Sequence, residues 1–388
     1  MGEITRDLLY RLPKTDLHCH LDGSMRLRTI LDLAEQYKIR LPAEHEDDLR
    51  RLIVMKDGCS SLVDYLRVFD VTLLVLQTDE ALERAAFELA EDAAAENVRY
   101  LEVRFSPILH TNSLLPFEKI YESVIAGLTR AEKRYRIKTG LLICAMRNFP
   151  AEQSHMARRI HDRFYTFSDA ELAQLLAVHT AKVTTKLSQK YPTIVGFDIA
   201  GPEDGYPAKD FYEAFQEIIN GHLSITVHAG EAYGPDSIEQ AVKYCHAHRI
   251  GHGTRLIEAK DPSRLRTLYR YFKDKRIPLE ICVTSNVQTG SVPSIEAHPL
   301  KVYLEDKLRC TICTDNRLVS DTTVTDEYFR ICQAFKLSKE DLYKLIIYGF
   351  ESTFLPYEER EAILREVEPI LQRELQVGSG AAGAIPRT

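Results

Sequence analysis

The chain has 388 residues, of which 45% are hydrophobic and 28% are charged, and its formal net charge is −7. This composition is typical of a soluble globular protein and excludes wholesale disorder, collagen-like repeats and a membrane bundle. A net negative charge has the wrong sign for a protein held mainly by nucleic-acid phosphates, so we expect no nucleic-acid partner.

The compartment is predicted from segments that the sequence lacks. No apolar run approaches the ~18 residues of a transmembrane helix, and the N-terminal segment is charged where a signal peptide needs an apolar core. The eight cysteines follow no repeating spacing, which in a chain of this length indicates reduced core thiols rather than a disulfide framework. We therefore expect a cytoplasmic protein with no membrane partner.

Eight short apolar runs alternate along the chain with longer segments of helical periodicity. The predicted strands are residues 15–21, 98–107, 140–148, 193–201, 223–231, 248–256, 279–287 and 310–316. Apolar residues recur at helical spacing in segments 81–97, 117–135 and 236–248. Strands that are apolar throughout and alternate with helices are typically parallel and covered on both faces.

The count of eight strand units predicts an α/β fold with a single (β/α)8 TIM barrel. The length alone also allows two domains, and a doubly wound sheet is the alternative, but that sheet usually has about six strands and often a Gly-rich phosphate turn after the first. Residues 46–78 and 151–190 hold more helix than a minimal barrel needs, and we interpret them as insertions after strand 1 and before strand 4. We assign residues 1–376 to the barrel and 377–388 to a flexible tail.

Residues that commonly bind metals fall at the ends of three predicted strands. His18 and His20 alternate along the first strand and face the same side, although His-x-His alone is a weak signal. His228 and Asp315 end the fifth and eighth strands, and a barrel gathers its strand ends around one cavity. Either residue alone could be an ordinary polar strand-end residue. Three imidazoles and one carboxylate together suit Zn²⁺.

Two further residues suggest proton transfer beside that metal. Glu231 follows His228 by three residues, and His252 lies in RIGHG at the end of the sixth strand. One such group can carry protons to a substrate while the other positions or deprotonates a water. Glu231 would also be an ordinary residue at a helix start, where it would interact with the helix dipole.

These residues belong to segments that resemble a known family. Seven segments occur in the same order in the metal-dependent adenosine deaminases: LPKTDLHCHLDGS, YLEVRFSP, VGFDIAG, VHAGE, RIGHGTRL, TSNV and TDN. The resemblance extends from about residue 11 to about residue 370, and the combination is specific although each piece alone is not. It implies a barrel enzyme that hydrolyses adenosine and 2′-deoxyadenosine to inosine and deoxyinosine plus ammonia. One Zn²⁺ per subunit would be bound by His18, His20, His228 and Asp315.

The resemblance also implies roles for residues around the substrate. Glu231 would protonate the purine N1, His252 would act on the attacking water, Gly201 would present its N–H to N3, and Asp22 would hold a ribose hydroxyl. His20 would lie beside the substrate as well as on the metal.

An apolar gate over the base is implied at three positions, with a fourth residue in the pocket wall. The gate residues are Tyr65, Leu66 and Phe69, and the wall residue is Met146. The alternative for all four is plain core or helix packing.

Three departures from the family pattern bear on function. Asn316 stands where most members have a second Asp that contacts the purine N7, and its amide carries N–H donors that a carboxylate has only when protonated. Pro202 follows Gly201, removes a backbone donor and stiffens the loop. The link before strand 4 is long, and its helical segment, residues 170–189, suggests a surface elaboration or an oligomer contact.

Several alternatives stay open. The absence of lysine from TIVGFDIAG favours a single metal over the two-metal sites of related amidohydrolases, and HLDG rather than HLEG favours a nucleoside over a free base. The substrate could also be another 6-aminopurine: a 5′-substituted or N6-modified adenosine, or adenine. A non-catalytic binding barrel is the remote alternative. The protein could be a monomer or a homodimer.

Overall fold

Eight parallel strands follow one another around the sheet in sequence order. They are seen in a computed structural model that describes residues 3–55, 68–164 and 166–378. The strands are Lys14–His20 (β1), Val98–Phe105 (β2), Lys138–Met146 (β3), Ile194–Ala200 (β4), Ser224–Ala229 (β5), Arg249–His252 (β6), Leu279–Ile281 (β7) and Cys310–Ile312 (β8). An isolated parallel bridge between Cys19 and Asp315 brings β8 back to β1. The predicted (β/α)8 barrel is therefore confirmed.

Helices follow the strands and form the outer layer. In the first half of the described chain they are Arg6–Arg11 (α1), Leu27–Tyr37 (α2), Glu46–Ile53 (α3), Phe69–Val75 (α4), Asp79–Ala95 (α5), Phe117–Arg134 (α6), His155–Arg163 (α7) and Asp169–Ser188 (α8). In the second half they are Tyr212–Asn220 (α9), Pro235–Lys243 (α10), Leu268–Lys275 (α11), Val283–Gln288 (α12), Leu300–Glu305 (α13), Val324–Phe335 (α14), Lys339–Glu351 (α15) and Tyr357–Leu375 (α16).

Helix α5 shows how the sequence pattern produces this layer. Thr78 caps its N-terminus by accepting a hydrogen bond from the Ala81 N–H. The face predicted from the periodicity is buried, since Leu82, Ala85, Ala86, Leu89 and Ala93 are all inaccessible to solvent. Helices α5 and α6 pack closely on each other, and α5 also covers β2, whose residues are buried throughout. Because strands of this kind are buried on both faces, their sequences are continuous apolar runs.

Six of the predicted strands are shorter in the structure, and the sixth and seventh predicted runs change into helical segments. The sixth run, 248–256, forms a strand only to His252, because Gly253 adopts a positive φ and a 3-10 helix, Thr254–Ala259, follows it. The seventh run, 279–287, ends as a strand at Ile281 and continues as helix α12. The run stays buried through both elements, and periodicity does not separate a short buried strand from a short buried helix.

The two predicted insertions contain helices. Helices α3 and α4 lie between β1 and β2; Tyr65 and Leu66 lie outside the described residues. Before β4, α8 packs against β3 and β4 and buries one face, so the expectation that residues 170–189 are a surface elaboration is wrong. They form the crossover helix of the barrel, and the shorter α7 is the addition. Most of the predicted C-terminal tail, 379–388, also lies outside the described residues.

Seven cysteines of the described chain are buried, and none of these seven forms a disulfide. Over the same residues, no helix has the length and apolar content needed to span a bilayer.

Candidate active site

Four predicted metal ligands converge at the carboxyl ends of the strands. His18 and His20 come from β1 and His228 from β5, while Asp315 follows β8. One ligand atom from each lies within 4.8 Å of the others. The Nε2 atoms of His20 and His228 are 3.2 Å apart, and those of His18 and His20 are each 3.4 Å from Asp315 Oδ1. The structure thus brings together a donor set drawn from three separate strands.

The orientation of two of these imidazoles fits a cation. His18 Nδ1 is 2.8 Å from Glu280 Oε2, and His228 Nδ1 is 2.9 Å from Asp198 Oδ2. A carboxylate facing Nδ1 keeps the ring proton there and leaves the Nε2 lone pair directed toward the other ligand atoms of the cluster. His18 Nε2 is buried without a hydrogen-bond partner in the described chain. Lone pairs that converge on a carboxylate oxygen repel one another unless a metal ion lies between them, so these residues fit a metal.

One arginine connects the two supporting carboxylates. Arg104 is fully buried on β2, and it donates from Nη1 to Asp198 Oδ2 at 2.7 Å and from Nη2 to Glu280 Oε2 at 2.8 Å. No role for Arg104, Asp198 or Glu280 is predicted from the sequence. The signal that could have found them is a charged residue inside a strand buried on both faces, where an unpaired charge is too costly to keep.

Glu231 and His252 lie beside the four candidate metal ligands. Glu231 accepts a hydrogen bond from Thr289 Oγ1 at 3.0 Å, and its Oε2 is 3.5 Å from His252 Nε2. Burial, the negative charge of Asp315 and that of Glu203 together raise the pKa of Glu231 to about 8. A carboxyl group with this pKa holds a proton at neutral pH and can give it to a substrate.

A cavity of about 410 Å³ opens onto this cluster. The predicted residues that line it include Asp22, Gly201, Asn316, Phe69 and Met146. The Oδ1 atom of Asp22 is buried without a hydrogen-bond partner in the described chain, as expected of a group that binds a ligand hydroxyl. Several other residues that line the cavity are not predicted from the sequence, and they include Ser106, Leu109, Asn148, Phe149 and Thr289. None of them stands out in the sequence.

At two positions, glycine is needed because a side chain would collide with residues of the site. A Cβ on Gly23 would lie 1.9 Å from Asn316 Oδ1, so the HLDG turn requires glycine for Asn316 to reach the cavity. A Cβ on Gly251 would lie 3.1 Å from His18 Cε1 and 3.2 Å from His228 Cα. The glycine of RIGHG therefore leaves the space that two of the candidate metal ligands occupy.

Comparison with known proteins identifies the family. The sequence profile described as "Adenosine deaminase" matches residues 13–177 and 171–370. The chain belongs to the adenosine deaminase family. Membership makes it a hydrolytic deaminase that acts on a C–N bond, and the family is metal-dependent, in agreement with a His/Asp cluster that could hold a metal.

Individual relatives are similar to this chain over nearly their whole length. The adenosine deaminase of Vibrio atlanticus is 40% identical over 361 residues, which cover 92% of this chain and 98% of that protein. A crystal structure of Arabidopsis ADAL complexed with IMP has a TM-score of 0.75 at 26% identity and covers 94% of this chain and 99% of its own. An amidohydrolase from Burkholderia ambifaria with bound Zn shares the fold, with a TM-score of 0.80 at 21% identity and coverage of 98% and 96%.

Proposed function

We propose that this protein deaminates adenosine and 2′-deoxyadenosine by hydrolysis, releasing ammonia and forming inosine and deoxyinosine. The observation that carries the proposal is the meeting of a three-histidine, one-aspartate cluster with the buried Glu231, whose pKa is raised to about 8, at one end of the barrel. Its relatives named adenosine deaminase support the same reaction. The buried free thiols suit a cytoplasmic location.

We assign one Zn²⁺ per subunit to His18, His20, His228 and Asp315. Three imidazoles and a carboxylate are a zinc donor set, and β4 supplies no lysine for a second metal. Zinc at this position would supply Lewis-acid activation of the water that adds to the purine C6. Glu280 and Asp198 orient two of the imidazoles from behind.

The remaining residues bind the purine and move its protons. Glu231 gives its proton to N1, which makes C6 more electrophilic, and Thr289 keeps the carboxyl group in place. Asn316, with its amide N–H donors, meets N7, and Gly201 presents its backbone to N3. Asp22 accepts from a ribose hydroxyl.

The apolar residues Phe69 and Met146 cover the base, since both line the cavity. The other two predicted gate residues, Tyr65 and Leu66, lie outside the described chain and stay predictions.

The cavity favours a nucleoside over a nucleotide. The described residues that line it include no lysine or arginine, and four of them, Asp22, Asp70, Glu231 and Asp315, are acidic. A 5′-phosphate would meet like charges there without a cationic partner, which costs binding free energy. The IMP seen in Arabidopsis ADAL is therefore a poor guide to the substrate of this chain.

Ammonia release from a panel of purines tests the proposal. Zinc-loaded protein is incubated with adenosine, 2′-deoxyadenosine, 5′-substituted adenosines, AMP and adenine. We expect the two nucleosides to give the highest kcat/KM and AMP to fall at least ~100-fold below adenosine, since a buried like-charge contact costs about 3 kcal/mol or more. Activity confined to AMP or to adenine would overturn the assignment. Metal content measured on the same samples should give one zinc per chain.

A further inference from the structure

A line of three hydrogen-bonded, buried side chains starts at His252 and extends away from the cavity through Asn286 to His298. His252 Nδ1 is 3.0 Å from Asn286 Nδ2 on helix α12. The other end of that amide, Asn286 Oδ1, is 3.2 Å from His298 Nε2. His298 Nδ1 in turn accepts a hydrogen bond from the backbone N–H of Leu300 at 3.0 Å. All three side chains are buried.

The direction of each hydrogen bond follows from the last one. A backbone N–H can only donate, so His298 Nδ1 is the acceptor and carries no proton. Burial also lowers the pKa of His298 to about 3, which keeps the ring neutral with its single proton on Nε2. That N–H donates to an oxygen, so Asn286 directs Oδ1 toward His298 and its NH₂ group toward His252. Two donors cannot face each other, and therefore His252 Nδ1 is an acceptor.

We propose that His298 and Asn286 are positioning residues that hold His252 in the Nε2–H tautomer, so that it acts on the attacking water as a hydrogen-bond donor rather than as a base. The ring nitrogen that faces the site, Nε2, lies 3.5 Å from Glu231 Oε2. The Nε2 of this tautomer has no free lone pair, so it cannot take a proton from water. The only basic nitrogen, Nδ1, faces Asn286, and protonating it would place a cation beside the rings of His18 and His228. Donation instead fixes the direction from which the water oxygen attacks. The inference rests on the proposed deamination for its role in catalysis, but not for the tautomer itself.

The two residues that set the tautomer, Asn286 and His298, are separate from the residues proposed to bind metal. Asn286 is the fourth residue of helix α12, and its backbone N–H is bonded to Cys282 O. His298 lies before helix α13 and contacts the site through Asn286. Substitutions at His298 therefore test a residue that touches neither the substrate nor the metal.

Nitrogen-15 NMR of zinc-loaded, histidine-labelled protein without substrate reads the tautomer directly. The His252 signals are assigned by their loss in His252→Gln. We expect a protonated Nε2 and an unprotonated Nδ1 in the wild-type protein. A wild-type spectrum that shows the proton on Nδ1 overturns the proposal whatever the substrate is. Failure of the wild-type protein to release ammonia from adenosine would instead contradict the proposed function and leave this spectrum unchanged.

Asn286→Asp reverses the direction of the hydrogen bond between residue 286 and His252 Nδ1. A carboxylate accepts from both neighbours, so His252 should move its proton to Nδ1 and present a bare Nε2 to the water. We expect kcat for adenosine to fall about 100-fold, the size of effect seen when one preorganised donor is lost from an active site. If His252 works as a base through Nε2, the same variant keeps or raises kcat, because an aspartate behind a histidine strengthens the base. Unchanged activity with an inverted tautomer therefore refutes the proposal.

A second pair of variants separates positioning from folding. In His298→Gln the side-chain NH₂ can still donate to Asn286 Oδ1, so we expect the Nε2–H signal and at least a third of the wild-type kcat. In His298→Leu the donor is lost, the Asn286 amide can rotate, and both the Nε2–H signal and kcat should decrease. His248→Leu is the matched control, because His248 Nδ1 also accepts from a backbone N–H, that of Ile225 at 2.9 Å. A His298→Leu variant that folds and retains both the signal and kcat would refute the assignment.

Discussion

Glu231 is the residue whose environment most clearly sets a pH dependence. Its pKa of about 8 arises first from burial and then from the charges of Asp315 and Glu203. The proton that N1 requires is present below that pKa and absent above it. We therefore expect kcat/KM for adenosine to be level near neutral pH and to fall about tenfold per pH unit above roughly 8, as followed by ammonia release.

Glu231→Gln tests whether the acidic proton, rather than the shape of the side chain, is needed for activity. Glutamine keeps a hydrogen-bond donor but has no acidic proton, so kcat should fall by about 10²- to 10⁴-fold and the alkaline limb should disappear. Zinc content, measured by atomic absorption, should stay at the wild-type value because Glu231 is not in the cluster of ligands. Full activity in this variant, or a flat wild-type profile up to pH 10, would contradict the assignment.

The four candidate metal ligands could be identified from the sequence, whereas the groups that support them could not. His18 and His20 lie on the same face of a strand because side chains alternate along it, and the motifs VHAGE and TDN point to His228 and Asp315. Glu280 lies 262 positions from His18 along the chain, and only the closure of the barrel brings the two together. The direction of a hydrogen-bond chain such as the one behind His252 depends on backbone donors whose positions no spacing reveals.

At the scale of elements, one carboxylate organises the turn that carries Glu231. Glu203 Oε1 accepts from the Gly230 N–H at 2.5 Å, and its Oε2 accepts from the N–H groups of Glu231, Ala232 and Tyr233 at 2.7–3.0 Å. Glu203 belongs to the loop after β4, which also contains Gly201. The carboxylate therefore ties the end of β4 to the end of β5, and connects the loop that carries Gly201 to the turn that carries Glu231.

Glu203→Gln should loosen this turn. The amide NH₂ group would face donors, and losing charge-assisted hydrogen bonds should lower the free energy of unfolding by about 2–3 kcal/mol, measured by urea denaturation. We expect kcat to fall about tenfold or more, since small displacements of a proton donor are costly. Glu213→Gln, on the exposed side of α9, is the matched control and should change stability by less than ~0.5 kcal/mol. Equal effects of the two substitutions would rule out an organising role for Glu203.

Element boundaries follow from the sequence where a local signal exists. The start of α5 is marked by the Thr78 cap, and its end lies two residues before the predicted one. No local signal marks the point where the seventh run changes from β7 to α12. Tertiary contacts decide it, since the buried Glu327 accepts from the Thr284 N–H at the start of that helix. A pattern of apolar residues contains no information about such a partner.

At the scale of the whole molecule, an ionic network fills the barrel below the metal ligands. Arg104 on β2 bonds Asp198 on β4, Glu280 on β7 and the Leu17 carbonyl on β1. Arg249 on β6 donates to Glu280 Oε1 at 2.7 Å. These groups are buried, and each carboxylate that supports a metal-ligand histidine also bonds an arginine. The barrel is thus cross-linked through the same residues that orient the metal ligands, so folding and metal binding should be coupled.

Arg104→Met tests that coupling, because it removes the cation and leaves Asp198 and Glu280 buried. We expect the free energy of unfolding to fall by about 3–5 kcal/mol, the usual cost of an uncompensated buried charge. Zinc affinity, measured by competition with a chelator, should fall about 10- to 100-fold, since the imidazoles lose their fixed orientation. Arg99→Met is the control on the same strand: Arg99 pairs with Glu366 away from the cluster, so zinc affinity should not change. Lower stability of Arg104→Met with wild-type zinc affinity would show that the network supports the barrel alone.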